Sequence, residues 1–113
     1  MKNLDELLTD NRSFISSIEN KDSLEMVFKL KFSSMKDAES VNRYLKSNEY
    51  EVRLSEHKSW VIFKTYFVSA SKRIEPLQLA ESASVINQVW EVTTNQSGQI
   101  LECLYSLMEP LER

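Results

Sequence analysis

Apolar positions recur along the chain in two different periods. Leu4, Leu7, Leu8, Phe14, Ile15 and Ile18 fall at helical spacing, broken at 9–11 by "TDN", which predicts one amphipathic helix or two short ones before "NKDS" ends the pattern. In "LEMVFKLKF", Leu24, Met26, Phe28, Leu30 and Phe32 alternate with Glu25, Lys29 and Lys31, the period-two mark of a strand with one buried face. Ser34 stands three residues before Asp37 as a helix N-cap, and Met35, Ala38, Val41 and Leu45 carry an apolar stripe up to "KSN". Tyr50, Val52 and Leu54 alternate with Glu51 and Arg53, so residues 50–68 are expected to form an antiparallel hairpin with "SEHKS" as its charged tip. Pro76 suits the first turn of a helix with Leu79, Ala80, Ala83 and Ile86 on its buried side, running to about Gln88. The β-branched and aromatic "VWEVTT" predicts a fourth strand. Ser97 is expected to cap a last helix banded by Ile100, Leu101, Leu104, Leu107, Met108 and Leu111.

This order predicts an α+β domain: a ferredoxin-like βαββαβ core over 24–95, with a helical extension over 1–20 and a C-terminal helix over 97–111, all in one domain spanning 1–113. The core would place two helices on one face of a four-stranded antiparallel sheet. The stretch "SWVIFKTYFV" is then apolar or aromatic on both faces. With Val61, Phe63 and Phe67 turned to the helices, the residues Trp60, Ile62, Lys64 and Tyr66 would lie on the other face beside Lys29 and Lys31. Both terminal helices have stripes to bury and are the expected cover for that face. If they leave part of it open, these six residues are the candidate protein-binding surface, for a homodimer or for another protein.

Composition narrows the chemistry. At 113 residues, 42% hydrophobic and 27% charged, the chain suits one soluble domain with its own core. No apolar run is long enough to span a membrane, and "MKNLDELLTD" carries acids where a signal peptide is apolar, so a cytoplasmic location is expected. A net charge of −3 weighs against general polyanion binding. RNA recognition by Trp60 and Tyr66 as stacking platforms, with Lys29, Lys31 and Lys64 on phosphates, is an alternative, but "WVIFKTYF" lacks the glycines of an RNA-recognition strand. An immunity-type or adaptor module using the charged hairpin tip is another.

One glycine, Gly98, cannot build a phosphate-cradling loop, and one histidine with one cysteine cannot build a structural zinc site. No cofactor or metal is expected. Cys103, among leucines, reads as a small core residue and His57 as a solvated turn residue, so no catalytic residue is assigned and the chain reads as non-catalytic.

Three segments, "MVFKLKF" followed by "DAESVNRYLKSNEYEV", then "SWVIF", then "VWEV", resemble the ribonuclease E inhibitor family, regulator of ribonuclease E activity B and its relatives. The likeness runs from about Leu24 to Thr94. It implies a small acidic bacterial protein with a ferredoxin-like core, which binds and modulates another protein, an endoribonuclease in that family. The positions carried over are Trp60, Trp90 and Glu91. Glu49 stands where the family has a glycine, and Gln88-Val89-Trp90 where it has Asp-Gly-Trp.

Overall fold

The computed structural model describes residues 2–18, 23–59 and 63–108. In chain order they form helix α1 (Leu4–Ser17), strand β1 (Ser23–Phe32), helix α2 (Met35–Ser47), strands β2 (Glu51–Ser59) and β3 (Phe63–Ile74), a 3-10 turn (Pro76–Glu81), helix α3 (Ser82–Asn95) and strand β4 (Gln99–Met108). The four strands make one antiparallel sheet in the order β2-β3-β1-β4, compatible with a ferredoxin-like core.

β1 is as its alternation predicts. Leu24, Met26, Phe28, Leu30 and Phe32 are buried under the helices, and Lys29 and Lys31 point to water on the other face. α2 starts where predicted, with Ser34 Oγ accepting from the Asp37 N–H at 3.4 Å. It ends in a Schellman turn: the Tyr50 N–H reaches Leu45 O and the Glu49 N–H reaches Lys46 O, with Glu49 left-handed at φ 69°.

Of the two N-terminal alternatives the single helix forms, running through "TDN" with Asn11 buried and bonded inside the fold. Three expectations are corrected. "SEHKS" is the second half of β2 and not a tip, since His57 pairs with Thr65 in the ladder, while the connecting residues 60–62 lie outside the described residues. "VWEVTT" is helical, part of α3, where Val85, Ile86, Val89 and Thr93 recur at helical spacing on the buried side, so packing outweighs β-branched propensity.

The predicted C-terminal helix is strand β4, and Ser97 is no N-cap but the left-handed residue (φ 57°) that closes α3, with the Gly98 N–H donating to Thr93 O at 2.8 Å. A bulge explains the misleading period: Leu30 pairs with Ile100 and Lys29 with Glu102, which leaves Leu101 extra. The bulge puts Ile100 and Cys103, three residues apart, on one face of a strand, which mimics a helical step. The sheet therefore takes in residues up to Met108, beyond the expected end of the core at 95.

All three helices lie on one side. α1 packs against α3 and onto β4, where the Phe14 ring stacks on Tyr105 with centroids 4.6 Å apart. Asn11 Nδ2 donates to Ser82 Oγ at 2.9 Å and to Tyr105 Oη at 3.3 Å, and Ser82 Oγ donates back to Asn11 Oδ1. The expected cover of the second sheet face by terminal helices is thus absent among the described residues. That face needs none: Glu51, Arg53, Ser55, His57, Lys29, Lys31 and Ser106 are exposed on it, as an antiparallel sheet permits.

Candidate functional site

The six residues expected to share one face do not. Residues directly opposite in an antiparallel pair point the same way, and Tyr66 lies opposite Phe32 and is buried among the helix-facing residues. Lys64, two residues before it, shares its side and is exposed, because β1 ends at Phe32 and the ladder beyond is only β2 and β3. Lys29 and Lys31 are on the opposite face, where Lys29 Nζ stands 3.5 Å from Glu102 Oε1. Trp60 and Ile62 fall outside the described residues. Phe67, expected to face the helices, is half-buried on the open face, opposite Lys31 and Ser55, which reverses the expected parity of the strand.

Of the family-matched positions, Trp90 is half-buried against the core from α3, and Glu91 is exposed on the same helix. Glu91 lines a shallow hollow of about 190 Å³ with Tyr44, Gln88, Val92 and Asn95. Beneath its lip the Tyr50 hydroxyl donates to Gln88 Oε1 at 2.7 Å, and the Lys72 ammonium lies 4.6 Å above the Tyr50 ring. A second hollow, of about 330 Å³, is lined by Glu25, Glu49, Glu51, Ser71, Lys72 and Arg73. Its acids and bases oppose each other, so it selects no ligand sign.

His57 and Cys103 are far apart. His57 is on the open face of one edge strand and Cys103 on the helix side of the other, three strand spacings or about 14 Å across the sheet. Burial pushes the Cys103 thiol up to about 11, a direction opposite to that of an activated nucleophile. Burial likewise holds the neighbouring Tyr105 phenol well above its ordinary value.

The two sheet edges differ in kind. β2, "EVRLSEHKS", has exposed Glu51, Arg53 and Glu56 along nine residues, the charged guard that keeps an edge from pairing with a foreign strand. β4, "QILECLYSLM", has one charge in ten residues, Glu102. Leu104 is 45% exposed on its open face and Leu107 is 50% exposed. α1 runs along the helix side of this strand, and just before α1 the Lys2 N–H donates to Ile100 O at 3.1 Å. From Leu101 onward no other described strand lies outside β4. This edge is the candidate site. The apolar spacing of "QILECLYSLM" predicts a helix and hides this edge; the sequence feature that marks it is the turn signal "NQSG" before a ten-residue segment with a single charge.

No family model matches the chain, and no curated protein matches it. Among the solved structures that match is the crystal structure of the Bacillus subtilis YXEP protein, a dinuclear metal binding peptidase from the M20 family, at 12% identity and a TM-score of 0.45. The alignment covers 78% of this chain and 26% of that one, so the chain spans about a quarter of that protein's length.

Proposed function

We propose that this chain is a non-catalytic protein-binding module of ferredoxin-like architecture that docks through the outer edge of β4. The observation that carries the proposal is the contrast between edges: one guarded by charge, the other with no described strand outside it from Leu101 to Met108 and bearing half-exposed Leu104 and Leu107. Strand addition to such an edge draws affinity from backbone hydrogen bonds and specificity from alternate side chains. The strand order, with α2 and α3 as the crossovers on one side, supports the ferredoxin-like assignment.

A photo-crosslinking residue at Ser106, exposed on β4, is expected to trap a protein adduct in cells, and the same residue at Ser55 on β2 to trap none. Equal adducts at both positions, or none at either, would remove the β4 reading.

The resemblance over Leu24–Thr94 supports a narrower version, in which the bound protein is an endoribonuclease and the effect inhibitory. Added to a ribonuclease E cleavage assay, the purified protein is expected to slow cleavage; an unchanged rate at saturating protein excludes that version alone. RNA binding through the sheet is not favoured, because Tyr66, one of its two stacking residues, is in the core.

A further inference from the structure

We infer that the occupant of the β4 edge is a second copy of this chain, in a closed twofold dimer whose two β4 strands pair antiparallel about Leu104. The inference rests on the reading of β4 as a binding edge and names its partner.

β4 is complementary to itself in that register. A twofold axis normal to the sheet pairs residues equidistant from the centre, so Leu104 meets the partner's Leu104, Cys103 meets the partner's Tyr105, and Glu102 meets the partner's Ser106. Every pair keeps open face with open face and helix side with helix side, as antiparallel strands require. The strand's one charge lies opposite a hydroxyl, and the half-exposed leucine lies opposite its own copy. Centring on Cys103 would set Leu104 against Glu102, and centring on Glu102 would set carboxylate against carboxylate, which opposes pairing. Three positions from the centre, exposed Leu107 arrives beside the partner's Leu101.

The other elements agree. With a single charge on the edge, nothing there selects a foreign strand by electrostatics. Head-to-tail growth is blocked, because pairing β4 with the partner's β2 would set Leu104 and its neighbours against the charged row of that strand. Association therefore closes at two copies and does not run on into a fibre. α1 lies over the outermost strand, so joining the edges brings the two α1 helices side by side, where the half-buried Leu4, Leu8, Ile15 and Ile18 have apolar surface left to cover.

Light scattering across a concentration series is expected to give the dimer mass for the wild type and the monomer mass for Leu104→Lys, which sets two ammonium groups face to face. Leu104 is half-exposed, so thermal unfolding of the variant checks that the monomer is still folded. In a Cys103→Ser background, Leu104→Cys is expected to form an interchain disulfide with oxidised glutathione as oxidant, and Ser106→Cys to form none. A wild type that is monomeric throughout, a Leu104→Lys protein that stays dimeric, or cross-linking at 106 in place of 104 overturns the inference. The Ser106 photo-adduct separates this from failure of the broader reading: an adduct of twice the chain's mass supports the second copy, an adduct of another mass removes the second copy but leaves β4 as a binding edge, and no adduct removes both.

Discussion

Glu49 holds φ 69° at the end of α2, in the left-handed region where a side chain costs about 1–2 kcal/mol and glycine costs none. Glu49→Gly removes that strain but loosens the unfolded chain by about 0.4–1 kcal/mol, so a net gain of about 0.5–1 kcal/mol in urea unfolding is expected. The chain's one glycine is needed for space instead. Gly98 has no positive φ, yet a Cβ built there would stand 2.3 Å from the edge of the Phe32 ring, which is buried and cannot retreat. Gly98→Ala is expected to cost about 1–3 kcal/mol by overpacking, and Phe32→Leu in the same chain to recover part of that loss. If the double variant were less stable than the sum of the two singles, a collision at this point would not be the cause.

At the level of elements, Asn11 shows how a polar residue on a helix can hold three elements together. Its amide joins α1 to Ser82 at the start of α3 and to Tyr105 on β4, both turned inward. Asn11→Leu removes the partner of a buried hydroxyl and is expected to lower stability by about 1–3 kcal/mol, read as a drop in the thermal midpoint. The sequence disclosed elements where one signal acted alone. β1 alternates without interruption, and α2 has its cap, stripe and stop in order, so both stood as read. In α3, β-branched Val89, Val92, Thr93 and Thr94 carry strand propensity on a helix held by packing, so propensity and period point to different elements. In β4 the bulge at Leu101 broke the alternation. The open β4 edge is hidden with it, since an edge exists only once strand order is known and no single segment encodes strand order. Tyr66 and Phe67 illustrate the same limit: both are large and aromatic, and only the register with Phe32 and Lys31 settles which one faces the helices.

For the molecule as a whole, the shortest of its extents is 22 Å, room for one helix layer on one sheet and not for a second cover. The ionisable groups of Tyr50 and Cys103 lie between those layers, Tyr50 buried and Cys103 partly so. Burial pushes the Cys103 thiol from its usual 9.0 to about 11 and the Tyr50 phenol from 10.0 to about 12. Both are neutral when protonated, so the unfolded chain releases these protons first. Their contribution is whole below about pH 9 and is lost as pH rises from there toward about 12. The urea midpoint is expected to fall over that window, with a shallower fall above pH 10 in Tyr50→Phe; a flat profile would show that burial does not raise these groups.

The order β2-β3-β1-β4 also bears on how the protein is made. β1 lies inside the sheet although it comes early in the chain, and its outer flank is closed only by β4, with Val27 waiting for Leu104. Until the ribosome has released residue 108, the nascent chain carries a bare, apolar β1 as its rim. Such long-range closure is slow and prone to aggregation, so a chaperone that shields nascent strands would be needed most in the interval between the emergence of α3 and that of β4.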